Sequence, residues 1–419
     1  MIIRCIKGEI LPDIQDYIPI VGEDLIQELY TMADGVQGNV IQNINSTTEG
    51  GGVAEILSRI IPLLRKLGID ARWDVIKGDE SFFRITKSIH NALQGMNVPI
   101  TKTDLESFLE VNKRNTEELD FYGDIMFIHD PQPIALIDKG QDTARRKWVW
   151  RCHIDLSEPQ MNIMDFLKKY IERYDRIVIS SSNYARKDLN AKQVIIPPSI
   201  DPLSDKNREL PQKMIDSIIN CFGIDTNRPI ATQISRFDKF KNPCGVIDAY
   251  KKVKEATDLQ LVLAGGGASD DPEGPDILHQ IKRKVKDDPD IHIIDLPAGS
   301  DLEINALQRA STVVLQNSSR EGFGLTVTEA LWKAKPVIAS AVGGIPLQII
   351  HERSGLLTKS QDDTEYYLKK VLSDPGYAMR LGENGREHVR RSFLITRHIR
   401  DCLRLFGELS NGKTAMKGL

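Results

Sequence analysis

Apolar and polar positions alternate along this chain in two successive runs. Short apolar stretches bounded by turn residues predict buried strands, and the apolar residues between them recur at the spacing of a helix that faces a core. The predicted strands cover residues 40–45, 69–77, 123–128, 148–156 and 175–181, and then 229–235, 259–264, 291–296, 312–316 and 336–340. Strands that alternate with helices predict parallel sheets covered by helices on both faces. We therefore expect an α/β protein with two doubly wound, Rossmann-like domains.

A proline-rich turn separates the two runs. It lies at 196–202, and the polar connector at 201–212 follows it. Turns of this composition are typical of domain boundaries. We predict an N-terminal domain over 1–200 and a C-terminal domain that begins at 201.

Composition excludes several classes of protein. The chain is 41% apolar and 27% charged, with a formal net charge of −4, which argues against a nucleic-acid or membrane-surface protein. No apolar run is long enough to span a membrane, and the first residues do not read as a signal peptide. The 5 cysteines are scattered without CxxC spacing, so we expect reduced thiols, no zinc site and a cytoplasmic location.

The most informative stretch follows the predicted strand at 312–316. Gly322 and Gly324 form a turn before a helix that starts near Leu325, and such a helix start presents backbone N–H groups to an anion. Glu321 and Glu329 flank this start with seven residues between them. An anion cradle with two carboxylates that can bind hydroxyl groups suits a nucleotide sugar.

A basic loop follows the strand at 229–235. Arg236 and Lys241 lie on it, and both could reach a pyrophosphate at the helix start near Leu325, because ligands gather at the carboxyl ends of parallel strands. Two cations would neutralise a departing nucleotide without a metal. The alternative is a solvated basic loop.

The first half has its own candidate residues. Gly50, Gly51 and Gly52 follow the first strand and precede a helix, although neither a P-loop nor GxGxxG is present, and a purely structural tight turn is the alternative. Polar side chains also fall near the carboxyl ends of two later strands, where a site is expected: they are His129, Asp130, His153 and Asp155. The alternative is that some of these four only stabilise loops. Their spacing matches no metal motif, and we predict no metal.

No nucleophile motif is present, so nothing requires a covalent intermediate. The chemistry expected of such a site is stabilisation of a leaving group by oriented N–H groups and cations.

With these residues assembled, the chain resembles retaining glycosyltransferases of the GT-B fold, in the family of sucrose and glycogen synthases. The shared features are the paired glutamates in REGFGLTVTEALW and the Arg–Lys pair in SRFDKFK. The resemblance is closer to the trehalose glycosyltransferring synthases. It rests on motifs that run in order along nearly the whole chain: GGGVAEIL, SIHNALQG, HDPQP, WRCHIDLS, PPSIDPLS, SRFD, DDPEG, REGFGLTVTEALW and AVGGI. One departure is Asn242 after Lys241, where the family often has glycine.

This resemblance implies transfer of glucose from a nucleoside diphosphate glucose to free glucose, giving α,α-trehalose with retention by a front-side displacement. It also implies a cleft between the domains, with the C-terminal domain ending near 394 and a helix at 395–409 packing back on the first domain. The nucleoside diphosphate glucose is a co-substrate, and neither a cofactor nor a metal is expected. Small molecules are the expected partners, without nucleic acid or membrane, and a homodimer is possible.

The resemblance also implies a role for each candidate residue. Glu321 would bind the donor glucose, Glu329 the ribose, and Arg236 and Lys241 the diphosphate. The other expected contacts are the backbone of Gly322, Gly324, Leu325 and Thr326 to the diphosphate, the 50–52 loop to the phosphates and acceptor, Leu296 to the base, His153 to the donor sugar, and Asp130, His129 and Asp155 to the acceptor side.

Three alternatives remain open from the sequence. A trehalose phosphorylase has the same fold and retaining chemistry but transfers glucose to free phosphate. A regulatory protein could keep the sugar-nucleotide pocket as a sensor, although all the ligand residues are present. Transfer to another acceptor is the third, because a fold does not determine an acceptor.

Overall fold

The computed structural model describes residues 11–48, 51–142, 146–266, 274–286, 288–297 and 299–414. Its strands form two parallel six-stranded sheets. The first sheet contains β1 (Val40–Asn45), β2 (Asp70–Val75), β3 (Ile125–His129), β4 (Lys147–Arg151), β5 (Arg176–Ile179) and β6 (Gln193–Ile195). The second contains β7 (Ile230–Ile234), β8 (Gln260–Gly265), β9 (Ile291–Asp295), β10 (Val313–Gln316), β11 (Val337–Ser340) and β12 (Leu356–Thr358).

Helices cover both faces of the sheets, as the alternating pattern predicts. In the first half they are α1 (Ile18–Val21), α2 (Glu23–Asp34), α3 (Gly51–Lys66), α4 (Glu80–Leu93), α5 (Lys102–Glu118) and α6 (Met161–Ile171). In the second half they are α7 (Gln212–Cys221), α8 (Pro243–Lys254), α9 (Gly274–Val285), α10 (Asp301–Ala310), α11 (Leu325–Trp332), α12 (Ile345–Gln348), α13 (Gln361–Ser373), α14 (Pro375–Ser392) and α15 (Ile395–Thr414). Helix α3 begins at Gly51, so Gly51 and Gly52 form its first turn rather than a separate loop, and Gly50 lies outside the described residues.

Strand order determines where each sheet can bind a ligand. The first sheet has the order β2-β1-β3-β4-β5-β6 and the second β12-β11-β10-β7-β8-β9. Chain direction across the sheet reverses between β1 and β3 in the first and between β7 and β10 in the second. Ligands of open α/β sheets bind beyond the carboxyl ends of the strands at such points. Segments 46–48 and 130–133 flank the first of these points, and loops 235–242 and 317–324 flank the second.

The C-terminal helix belongs to the core of the first half. In α15, Ile399, Leu403 and Phe406 are buried against α2, α3 and the first sheet. Its Arg397 donates to the carbonyl oxygens of Pro197 and Pro198 at 2.8 and 2.9 Å. The helix thus crosses back to the first domain, and it extends to residue 414, beyond the expected 409. The residue bounds of the two domains stay a prediction.

The two domains touch at the carboxyl edges of their sheets. Tyr184, which follows β5, donates to the carbonyl oxygen of Gly322 at 2.6 Å. A Cβ atom on Gly52 would lie 3.3 Å from Cδ1 of Leu325. The starts of α3 and α11 therefore face each other across the cleft between the domains.

No helix in the described part of the chain is long and apolar enough to cross a membrane.

Candidate active site

Lys241 and Glu321 meet at the point where the direction of the second sheet reverses. Lys241 Nζ lies 2.5 Å from Glu321 Oε2, and both side chains are at most 16% exposed. Gln316 and Ser318 also lie 3.4 and 3.3 Å from the same carboxylate oxygen. The two loops that flank the reversal therefore bring together the two residues that the sequence singled out. A cation beside a carboxylate can bind a phosphate while the carboxylate accepts from sugar hydroxyls.

A short turn orients Lys241. The Asp238 side chain accepts from the backbone N–H groups of Phe240 and Lys241 at 2.8 and 3.1 Å. Asn242 then adopts φ 47°, in the left-handed region, and its side chain caps α8 through the N–H of Gly245. Asparagine tolerates this conformation better than most residues. The replacement of the family's glycine by Asn242 therefore keeps the left-handed turn that follows the cation.

The loop that carries Glu321 packs tightly against the turn that contains Gly343 and Gly344. A Cβ atom on Gly343 would lie 1.6 Å from the carbonyl oxygen of Glu321, and one on Gly344 would lie 2.6 Å from that of Gly322. The two glycines of the AVGGI motif are required because the loop backbone passes this close. These glycines therefore occur in the motif because they allow the Glu321 loop to pack against them.

Helix α11 begins where the sequence predicts an anion cradle. Gly324 precedes it with φ 86°, a conformation that favours glycine. The chain therefore turns sharply into Leu325 and Thr326, whose N–H groups belong to the first helical turn and have no partner within the helix. A Cβ atom on Gly322 would lie 3.2 Å from the carbonyl oxygen of His153, so this loop meets the first domain.

Arg236 is an exposed predicted ligand. Its side chain is 47% exposed and lies 3.7 Å from Asp238 Oδ2. The guanidinium is therefore near the Lys241 turn but outside the Lys241–Glu321 contact. An exposed guanidinium at this edge is free to swing toward a phosphate.

Glu329 lies one turn inside α11 and is 2% exposed. Lys206, which sequence reasoning missed, approaches its Oε1 to 4.0 Å and also lies 2.9 Å from Glu55 Oε2 and 3.6 Å from Asp301 Oδ1. Burial raises the pKa of Glu329, and the Lys206 ammonium opposes that rise. Burial lowers the pKa of Lys206, but Glu329, Glu55 and Asp301 outweigh it and raise the pKa. Lys206 therefore stays charged between α3 and the predicted ribose site.

In the first domain, two histidines stack behind the cleft. His129 is 4% exposed, its Nδ1 lies 3.2 Å from His153 Nε2, and its Nε2 lies 3.1 Å from Asn43 Oδ1. Asn43 Nδ2 donates to the carbonyl of Arg72 at 3.2 Å, so Oδ1 faces the imidazole. His129 therefore donates from Nε2 and accepts from His153 at Nδ1. This leaves His153 Nδ1 as an acceptor, and places His129 behind His153 rather than on the cleft surface where the sequence had put it.

Asp130 supports the same strand ends. It has φ 64°, and its Oδ1 accepts from the backbone N–H of His153 at 2.9 Å. Its carbonyl accepts from Trp150 Nε1 at 2.9 Å. Burial raises the pKa of the Asp130 carboxyl to about 6. This aspartate thus fixes the backbone beside His153, and the left-handed conformation is stabilised by these two bonds.

The remaining predicted residues fall around this centre. Asp155 Oδ1 accepts from the backbone of Ser157 at 2.9 Å, a loop-stabilising bond. The Leu296 side chain is buried in the second domain's core, and its carbonyl oxygen would lie 2.3 Å from a Cβ atom on Gly266. Only its backbone is therefore available to a ligand. His90, on α4, is half-buried, and burial lowers its pKa to about 4.

Metal ligands are not clustered in the part of the chain that the structure covers: no group of three or more His, Cys, Asp or Glu side chains there could bind a metal ion. The independence from metals predicted above stays a prediction.

Comparisons with known proteins identify relatives of this chain. Residues 43–186 match the family model described as the N-terminal domain of trehalose synthase, and residues 214–388 match that of glycosyl transferases group 1. A trehalose synthase from Thermococcus litoralis is 45% identical over 397 residues, covering 94% of this chain and 96% of that protein. A trehalose phosphorylase from Pleurotus pulmonarius is 30% identical over 439 residues, covering 91% of this chain and 59% of that protein.

The fold is similar to that of solved structures. A structure described as trehalose-6-phosphate from E. coli bound with UDP-2-fluoro glucose superposes with a TM-score of 0.70 at 14% identity, covering 88% of this chain and 99% of that chain. At this identity the match speaks for the GT-B fold alone. Together with the sequence relatives, it shows that the chain belongs to the trehalose synthase family of GT-B glycosyltransferases.

Proposed function

We propose that this protein transfers glucose from a nucleoside diphosphate glucose to the anomeric hydroxyl of free glucose and so forms α,α-trehalose. The observation that carries the proposal is the 2.5 Å contact between Lys241 and Glu321 beside the start of α11. A side chain that can bind phosphate and a side chain that can bind a sugar lie next to each other there, as the sugar–phosphate bond of a donor requires.

The diphosphate would lie against the first turn of α11, with Lys241 and Arg236 as its cations. The positive end of the helix and the two cations stabilise the negative charge that develops on the leaving group.

Glu329 and Lys206 support a nucleotide rather than a bare phosphate. A buried carboxylate accepts from the two vicinal hydroxyls of a ribose, whereas it would repel a free phosphate ion. Lys206, 4.0 Å away, favours the ionised form of the carboxylate and can donate to the same sugar.

The reaction exchanges one bond at the donor carbon. The acceptor's anomeric oxygen forms a bond to C1 of the donor glucose on the face from which the diphosphate oxygen departs, so the configuration at C1 is retained. The acceptor's proton passes to that departing oxygen, which needs no side-chain base. The same groups serve the reverse reaction, since it passes through the same transition state.

The first domain would bind the sugars through side chains at the carboxyl ends of its strands. His153 Nδ1 is left as a hydrogen-bond acceptor, suited to a hydroxyl of the donor sugar, while Asp130 and Asp155 border the acceptor side. Contact between the domains through Tyr184 and Gly322 would keep water from the donor. Among the described cysteines, all four (residues 152, 221, 244 and 402) are free thiols, which supports the predicted cytoplasmic setting.

Phosphorolysis is the second candidate, because a relative of that activity is 30% identical. It makes glucose 1-phosphate from trehalose and phosphate, without a nucleotide. The buried Glu329 speaks against it.

Product analysis decides between the two. Purified protein is incubated with glucose and ADP-, UDP- or GDP-glucose, with and without chelator. We expect trehalose and an equal amount of nucleoside diphosphate, at the same rate in chelator. Glucose 1-phosphate from trehalose and phosphate, with no trehalose from any donor, would replace the proposal with phosphorolysis.

A further inference from the structure

A small cavity lies behind the stacked histidines, between the carboxyl edge of the first sheet and α15. Its volume is about 20 Å³, which is room for a water molecule or a single small ion. Aliphatic and aromatic side chains form most of its wall. The polar side chains in the wall are Asn43, His129, Arg151, His153, His398 and Cys402.

Arg151 is the cation of this cavity. It ends β4 and is 1% exposed. Its Nη2 lies 3.5 Å from Ser180 Oγ, and its Nη1 has no hydrogen-bond partner among the described residues. No carboxylate of the described chain lies within ion-pairing distance, and Asp130 acts on the guanidinium only from farther away. Burial lowers the pKa of Arg151 to about 10, so it stays charged at neutral pH.

The histidines around it do not balance this charge. Burial, followed by the charge of Arg151, lowers the pKa of His129 to about 3 and that of His153 well below its ordinary value. Burial, followed by Arg397 and Arg151, does the same to His398. His398 Nδ1 lies 2.9 Å from Ser199 Oγ, so Nε2 can carry the proton and donate. The cavity therefore presents a guanidinium and an imidazole N–H, and its wall contains no carboxylate among the described residues.

We propose that this cavity binds one monovalent anion of chloride size, in contact with Arg151 Nη1. A buried charge without a partner is costly, and removal of the cost requires an opposite charge rather than a neutral dipole. A single-atom anion such as a halide suits a cavity of this size and tolerates apolar neighbours. The anion would join the first sheet to α15 directly behind His153.

Bromide tests the site in the wild-type protein, because it replaces chloride and scatters anomalously. Crystals grown in sodium bromide should show an anomalous peak within hydrogen-bonding distance of Arg151 Nη1. Density there without an anomalous signal would identify a water molecule and overturn the proposal.

Thermal unfolding gives a second readout in solution. At constant ionic strength, the melting temperature of the wild type should be about 1–3 °C higher in sodium chloride than in sodium gluconate, since a ligand that binds only the folded state stabilises it. Arg151→Met should lose this difference. Arg400→Met removes the same charge from α15 outside the cavity wall and should keep it. Equal melting temperatures of the wild type in both salts would contradict an anion site, and if Arg151→Met does not fold, the bromide peak decides.

Discussion

The two halves of the active site use opposite electrostatics. In the second domain, Lys241 and Glu321 are charged, lie 2.5 Å apart and remain partly accessible at the sheet edge. In the first domain, His129 and His153 are desolvated imidazoles whose pKa values are lowered by burial. One half can bind a diphosphate, and the other can bind neutral hydroxyl groups. The difference supports the proposal that the diphosphate is bound by the second domain, whereas the first domain contacts only sugar hydroxyl groups.

The largest effect is expected from Glu321→Ala, because Glu321 is proposed to bind the reacting sugar. Turnover should fall about 1,000-fold or more. Affinity for the nucleoside diphosphate should stay the same or rise, since the carboxylate that competes for Lys241 is gone. Stopped assays and calorimetric titration measure the two quantities. Collapse of diphosphate affinity with surviving turnover would reverse the assignment.

Lys206→Met should act on donor binding alone. It leaves Glu329 buried without its nearest ammonium, so the KM for the donor should rise about 10- to 100-fold while kcat changes little. Lys192→Met is a matched control: it removes a surface lysine that is 62% exposed and 3.7 Å from Glu408, and it should leave both constants unchanged. An unaltered donor KM in Lys206→Met would remove Lys206 from the site.

His129→Phe should disturb the first half without changing charge. The phenyl ring keeps the packing but no longer accepts from His153 Nε2, so kcat/KM should fall about 10-fold, the cost of one unpaired buried donor. Affinity for the nucleoside diphosphate should not change. His129→Gln restores an acceptor and should recover most of the rate. Equal losses in both variants would indicate a packing role only.

Stability should fall as the pH drops below about 6.5, mainly because of buried histidines in the first half of the active site. His129, His153 and His398 have lowered pKa values in the folded state, so the unfolded chain binds more protons. Each contributes about 1.4 kcal/mol per pH unit below its ordinary pKa. Asp130 has its pKa raised to about 6, so below that pH the folded state takes up one proton that the unfolded state does not, which offsets the effect of one histidine.

Melting temperatures at pH 7.5 and 5.5 test the sign of this dependence. We expect a lower value at pH 5.5, a smaller difference in His398→Gln, and the wild-type difference in the exposed His279→Gln. A melting temperature that rises toward acid would contradict the burial of neutral imidazoles.

The fold could be predicted because strand and helix periodicities are local. That the Lys241 loop and the start of α11 lie at one edge also followed from the sequence, since ligands gather at the carboxyl ends of parallel strands; the direct contact of Lys241 with Glu321 came from the structure. Lys206 could not be found this way, because it lies in an irregular connector whose path depends on tertiary packing. The burial of His129 was missed for a related reason: adjacent strand-end residues point to opposite faces, and the sequence does not say which one faces the cleft.

The division of labour between the two sheets is tested most directly by calorimetric titration of the nucleoside diphosphate into Lys241→Ala and His129→Phe. The account predicts that Lys241→Ala weakens binding of the nucleoside diphosphate at least 10-fold. It also predicts a lower kcat/KM that corresponds to a loss of about 2–4 kcal/mol of transition-state stabilisation. It predicts wild-type affinity for His129→Phe. Equal affinities in both variants, or a loss confined to His129→Phe, would contradict it.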